Sequence, residues 1–365
     1  MATINGFVFA FILVWILKLV IAFFLSSLLV LFAALGIHKI HIQKTERKDW
    51  DLLASYKAEL SSVVESGGKI SNPQNLADAV NLAHALSIMS VGESVSAKAA
   101  MRQVVLKSKL PEILRQALKS RSWGTRFKAL TGFCDFASPT EFRHLIEFEY
   151  GEKNTRVFGN GLMACAACIS STRDFGELLA LMQLSMEISA SYYEGIFRTA
   201  LRALEETVGR ATTIKHIKRL LLESDINPVL KASLIHANSK EQFPELETAA
   251  LDLARDVDEP VITVAILRAL RKSGNYDRII EENIGNSRQY LNIVALHASG
   301  VCKDPGPDLI RKIEEQLRSR NYLARTAAAT SLKQLGEKGE QVLVRAGHGD
   351  DRYASDISTY VLSLG

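Results

Sequence analysis

Two cysteines three positions apart, Cys165-Ala166-Ala167-Cys168, are the spacing in this chain that comes nearest to chemistry. A dithiol so placed could work as a redox couple or supply half of a zinc site. The thioredoxin-type couple needs a strand ahead of the motif, and a structural zinc needs two further ligands. No second CxxC and no HxxxH occurs. Residues three apart also share a helix face, where small buried cysteines suit an interface between helices. His38 and His41 could touch a metal or lipid headgroups. The paired carboxylates Glu205-Glu206, Glu281-Glu282 and Glu314-Glu315 fall on polar helix faces, and Asp350-Asp351 reads as a turn and cap. A phosphate-binding loop, a dinucleotide fingerprint and a nucleophile elbow are all missing. The expectation is a chain without a catalytic constellation, with no cofactor and no metal site.

Charge offers a different kind of chemistry. Residues 98–128 hold nine basic residues against Glu112, and residues 241–259 hold seven acidic residues against Arg255. Such runs can be solvated faces that pair with neighbouring helices, or they can meet anionic lipid or an acidic partner. Arg115, Lys119, Arg121 and Arg126 straddle one break between helices and are the candidate contact for a protein partner or lipid. Nucleic acid is not expected. Residues 1–48, with five basic residues and one acidic, account for the whole net charge of +4, which leaves the rest neutral, and few aromatics interleave the basic run.

The elements that would position these groups begin with an apolar run, GFVFAFILVWILKLVIAFFLSSLLVLFAALGI, over residues 6–37. From Leu19 to Ile37 it is long enough to span a bilayer core at about 1.5 Å per residue. Lys18 would cost roughly 2.5–3.5 kcal/mol at the bilayer centre, so it belongs at an interface. A cleaved signal peptide is the rival reading, but the apolar stretch is too long and a short basic leader is missing. Lys39, Lys44, Arg47 and Lys48 follow the run, whereas only the terminal amine precedes it, which predicts a cytoplasmic body behind a single-pass inner or plasma membrane anchor. Four cysteines without a disulfide framework suit a reducing compartment.

Past residue 50 the pattern is helical throughout, without the alternation and hairpin dipeptides of strands. Three segments result: an anchor with its basic flank at 1–48, an irregular helical layer at 49–110, and helix pairs from 111 to 365. The second helix of each pair is predicted to start at Ser122, Asn154, Ser191, Asn227, Glu259, Ser287, Asn321 and Asp351, 28 to 37 residues apart. Most of these side chains cap orphan amides, and proline follows at 228 and 260, where its missing N–H costs nothing. In the last pair but one, Leu323, Ala327, Ala328, Ser331, Leu332 and Leu335 make a narrow apolar stripe that Gly336 ends, suited to close packing between neighbours.

This pattern resembles HEAT repeats of the degenerate bacterial kind, including those first recognised in phycobilisome lyases, in which an Asp-containing turn leads into a Val-Arg-x-x-Ala-x-x-x-Leu-Gly helix. GDDRYASDISTYVLSLG (349–365) and NYLARTAAATSLKQLG (321–336) match best, with Arg352 and Arg325 near the arginine position; RSWGTRFKALTGF (121–133) matches through Arg126 and Ala129. The pairs at 174–209 and 276–300 lack the arginine. Armadillo and tetratricopeptide arrays share the helical pattern. The resemblance implies an all-α αα-superhelix, and stacked repeats behind an apolar anchor lead to the expectation of a membrane-anchored scaffold or adaptor that binds a protein partner. The alternatives are a bilin-lyase-like enzyme or a thiol-redox protein using Cys165 and Cys168.

Overall fold

The structure, a computed structural model, describes residues 50–63, 69–91, 93–184, 190–223, 225–241, 245–256 and 258–364, and from the first 48 residues only 24, 26–28, 31–32, 39 and 47–48. The expected membrane anchor therefore lies outside the described residues. Among the described residues no helix is long and apolar enough to cross a membrane, and none of them forms a strand. The chain divides into two compact units, Met1–Ile113 and Leu114–Gly365.

The first unit holds α1 (50–63), α2 (Leu76–Met89) and α3 (Val95–Leu106). Asn75 and Ser94 cap the last two by accepting from the amides of Asp78 and Ala97. Leu53, Tyr56 and Leu60 of α1, at helical spacing, are buried, as are Leu82 and Leu86 of α2 and Met101 and Val105 of α3. The division falls inside α4 (Leu110–Leu118).

The second unit continues from α4 as helix pairs. The first helices are α4, α6 (Phe142–Glu149), α8 (Thr172–Leu184), α10 (Arg210–Leu222), α12 (Glu245–Asp256), α14 (Arg278–Asn283), α16 (Pro307–Gln316) and α18 (Glu337–Gly347). The second helices are α5 (Trp123–Phe136), α7 (Thr155–Ala167), α9 (Ala190–Val208), α11 (Pro228–Glu241), α13 (Pro260–Ser273), α15 (Gln289–Ser299), α17 (Tyr322–Gln334) and α19 (Arg352–Ser363). Each second helix from α5 to α17 packs directly on the next one, so that they form an unbroken layer. First helices lie behind them, with α6, α8, α12, α14, α16 and α18 each against its own partner. The core between the layers is filled by Phe133, Phe136, Phe142, Phe175 and Phe197, all fully buried.

Caps decide where the second helices begin. Ser122, Asn154, Asn227, Asn321 and Asp351 each accept from an amide of the first turn that follows. Ser287 does not: Arg288 is the cap residue of α15, and Asn286 receives the Arg288 amide instead, after Gly285 has taken a left-handed turn at φ 81°. Ser191 lies one residue inside α9.

The apolar stripe of α17 also shifts by one position. Ala324, Ala327, Ala328, Ser331 and Leu332 are buried, but Leu323 is 60% exposed, because Ala324 rather than Leu323 continues the i, i+3, i+4 row. Small side chains there allow close approach: the Ser331 hydroxyl donates to the Leu296 carbonyl of α15 at 2.5 Å. On the other side, Gly339 of α18 sits so near the Leu332 carbonyl that a Cβ would overlap it.

A recurrent latch ties these pairs internally. The fourth residue after the cap reaches back to the turn ahead of its own helix. Arg126 Nη1 donates to the carbonyls of Ser120 and Arg121 at 2.9 and 3.0 Å. Arg325 Nη1 does the same to Ser319 and Arg320 at 2.8 and 3.2 Å. Asn292 accepts from the Gly285 amide, and the Ser355 hydroxyl donates to the Gly347 carbonyl. Arg352 is not part of this set. It is the first residue of α19, exposed, and pairs with Asp356 along its own helix.

Candidate binding surface

The four basic residues of the candidate contact have different surroundings in the structure. Arg126 is turned inward. Besides its latch it grips Glu152 with two bonds, Nε to Oε2 at 2.7 Å and Nη2 to Oε1 at 3.1 Å. Glu152 also accepts from the amides of Lys153 and Asn154, ahead of α7. Burial pushes the Glu152 carboxyl up, but the Arg126 bonds and the two amides outweigh it and hold it below the ordinary carboxylate value. Arg115 lies 3.4 Å from the buried Glu141, whose carboxyl is raised because burial exceeds the pull of Arg115 and His144. Lys119 and Arg121 are exposed at the turn. Arg126 therefore serves the fold, Arg115 is exposed but paired with Glu141, and Lys119 and Arg121 are presented to solvent.

Cys165 and Cys168 end α7, both buried and neither in a disulfide. Burial first, then Glu149 and the neighbouring thiols of Cys168 and Cys134, raise the Cys165 thiol well above its usual value. Burial likewise pushes Cys134 up to about 12. A buried thiol held protonated is a poor nucleophile and a poor metal ligand. Beside them Glu149 is the least comfortable group in the unit: it is 1% exposed, with neither carboxylate oxygen hydrogen-bonded. Burial and then the charge of Glu152 push its carboxyl up to about 9, so it carries its proton at neutral pH. Gly161 of α7 makes the room, since a Cβ there would collide with that carboxyl. Among the described residues no group of three or more His, Cys, Asp or Glu side chains is placed to hold a metal ion.

The outer sides of the two layers differ in charge. On the first-helix side, arginines are answered by acids, often on the next helix of the layer. Arg143 of α6 and Arg173 of α8 share Glu177, Arg210 of α10 meets Glu245 of α12, and Arg345 of α18 meets Glu314 of α16. Arg255 of α12 bridges to Asp277 at the cap of α14. On the second-helix side, neighbours meet without acid–arginine bridges of this kind: Asn160 of α7 donates to the Phe127 carbonyl of α5, Thr199 of α9 lies against Met163 of α7, and Lys333 of α17 donates to the Val361 carbonyl of α19.

In the middle of that second-helix side lies a cleft of about 570 Å³. α11 contributes Val229, Ala232, Ser233 and His236, at the i, i+3, i+4, i+7 spacing of a single face. α13 contributes Val261 and Val264, then Arg268, Arg271 and Lys272 toward its C-terminal end. Ser191 and Glu194 of α9 close the other wall. The result is an apolar floor with three cations at one end. Arg271 and Lys272 fall in the last turn of α13, where the negative end of the helix dipole favours them. Arg268 and Arg271 have no acidic side chain within ion-pair distance among the described residues. Arg271 also helps to depress His297 of α15, whose own burial is the larger cause.

Sequence reading missed this cleft. Its lining comes from three helices far apart in the chain, and on α13 alone Arg268, Arg271 and Lys272 look like an ordinary solvated face. No protein-family model matches the chain, and no curated protein matches its sequence. The functional reading therefore rests on geometry.

Proposed function

We propose that this chain is a membrane-anchored scaffold of the HEAT-like solenoid class, which holds a protein partner on the second-helix side of its cytoplasmic helix pairs. The observation that carries the reading is the unbroken second-helix layer from α5 to α19, with a cleft in its open face. Stacked helix pairs present extended surfaces without a catalytic pocket. The second helices pack on one another without a break, which makes their side the more continuous surface for a partner. The apolar run at 6–37 supplies the anchor, and its basic flank sets the body on the cytoplasmic side. Lys119 and Arg121, exposed at the α4–α5 turn, add a secondary contact to anionic lipid.

The test has two arms. Full-length protein should stay with membranes through alkaline carbonate, and a reporter fused after Gly365 should behave as cytoplasmic. Crosslinking in intact membranes should then capture a partner from the wild-type chain. The same partner should be lost when exposed second-helix residues Phe127, Tyr290 and Leu323 are changed to Glu, and kept when the first-helix residues Arg173 and Arg311 are changed. Equal capture by both variants, or a carbonate-soluble chain, would overturn the reading.

A further inference from the structure

We infer that the cleft between α9, α11 and α13 receives a short acidic segment of the partner, with an apolar side chain on the valine floor and carboxylates on Arg268 and Arg271; this rests on the scaffold reading above. Charge complementarity selects the chemistry. Arginines on the first-helix side are already neutralised by acids of their own layer. Arg268 and Arg271 are exposed, have no acidic partner among the described residues, and stand in a concavity with Lys272 beside them. A guanidinium is built for bidentate carboxylate, and it gains most where part of its surroundings is apolar. Glu194 on the opposite wall offsets one charge, and Arg268 and Arg271 together still outnumber it.

Spacing along α13 sets the form of the segment. Val264, Arg268 and Arg271 lie four and three residues apart, which at about 1.5 Å per residue is about 6 and 4.5 Å along the helix. An extended peptide rises about 3.4 Å per residue with alternate side chains on one face. Lying along α13, it would place an apolar residue on the floor, an acid two positions on at Arg268, and another acid one or two positions further at Arg271. The segment is thus an apolar residue followed or preceded, at a distance of two, by a pair of acids.

The experiment uses the full chain in nanodiscs of phosphatidylcholine. The probe is a pool of fluorescein-labelled peptides carrying one Leu, Ile, Val or Phe two residues from a Glu-Glu or Glu-x-Glu pair, in both orders, with Lys-for-Glu versions as controls. Fluorescence anisotropy should show saturable binding of acidic peptides only, weakening as salt rises. Arg268→Glu with Arg271→Glu should reduce affinity at least tenfold, and the gentler Arg268→Gln with Arg271→Gln should act in the same direction, each with an unchanged circular dichroism melt. Arg278→Glu on α14 should bind like the parent. Hydrogen exchange should slow on α11 and α13 when peptide is bound.

No binding by any acidic peptide, or binding indifferent to both double variants, would overturn the inference. So would inorganic phosphate displacing the peptide at equal concentration, which would make this a small-anion site. Binding of phosphatidylglycerol vesicles through Arg268 and Arg271 without peptide binding would assign the cleft to lipid. A dimer lost in the double variants would assign it to a second copy of the chain. If membrane capture of a partner persists in the Arg268/Arg271 variants but fails in the Phe127/Tyr290/Leu323 variant, the scaffold stands and the acidic segment falls.

Discussion

The two layers of the second unit are built from the same kind of helix, yet they solve neighbour contact differently. First helices reach each other through long side chains: Arg143 and Arg173 on Glu177, Arg210 on Glu245, Arg345 on Glu314. Second helices meet through no such arginine–carboxylate bridges: Ser331 donates to a carbonyl of α15, and Ala324, Ala327 and Ala328 make a buried row. Where long side chains cross from α17 to α19, Lys333 bonds the Val361 carbonyl and Arg325 lies over the Tyr353 ring. Long bridges tolerate a gap; a methyl or hydroxyl contact does not. Exposed ion pairs contribute little stability each, with a central range of about 0–1 kcal/mol, whereas a tightly packed small-residue interface admits no intrusion. The difference teaches where each layer can be altered: the first for register and solubility, the second only where it opens to solvent.

That contrast can be broken most severely at Ala328, fully buried in α17. Ala328→Asp would bury an unpaired carboxylate, at a cost of several kcal/mol. A thermal melt should show a fall on the order of 10 °C or loss of soluble protein; a parental melt would mean that the row packs against nothing. Arg126→Ala should cost about 2–3 kcal/mol, since charge-assisted bonds to Glu152 and to two turn carbonyls vanish together. It should leave acidic-peptide binding unchanged, which separates the latch from the cleft.

Glu149 sharpens the comparison by pH. Its carboxyl is raised to about 9 in the folded chain against an ordinary 4.5. Below about pH 4.5 both states hold the proton and its contribution is complete. As pH rises from there the unfolded chain gives up a proton that the folded chain keeps, so stability falls until about pH 9, with a slope of at most about 1.4 kcal/mol per pH unit. Urea melts across this window should be flatter for Glu149→Gln, which needs no proton. A slope unchanged by that substitution would place the carboxyl in water or in a bond. The smallest effect belongs to the first-helix side: Arg345→Ala should cost less than about 1 kcal/mol, and the loss should shrink in high salt.

The helix pairs were legible because two local signals agreed. Periodic apolar residues marked each helix, and Ser122, Asn154, Asn321 and Asp351 marked its start with a side chain that satisfies orphan amides. Where the signals parted, the reading slipped. At Ser287 the backbone turned at Gly285, which moved the cap to Arg288. At Leu323 a large apolar residue outweighed the small Ala324, although close packing prefers the alanine. The candidate surface was less legible still. A run of like charge in the chain says nothing about which side chains turn inward, and Arg126 turned inward to hold a turn. The cleft depends on three helices meeting, and no one of them carries a pattern of its own.

The latches made by Arg126, Asn292, Arg325 and Ser355 have a mechanical consequence. Each fastens the start of a second helix to the turn before it, so those two helices cannot hinge apart without breaking bonds to the main chain. Compliance is left to the seams between one pair and the next. Drawn out by its ends in an optical trap, the second unit should therefore lengthen in discrete steps rather than by gradual yielding. At the four latched pairs each step would free one pair, a length of chain matching the 28 to 37 residues between successive second helices.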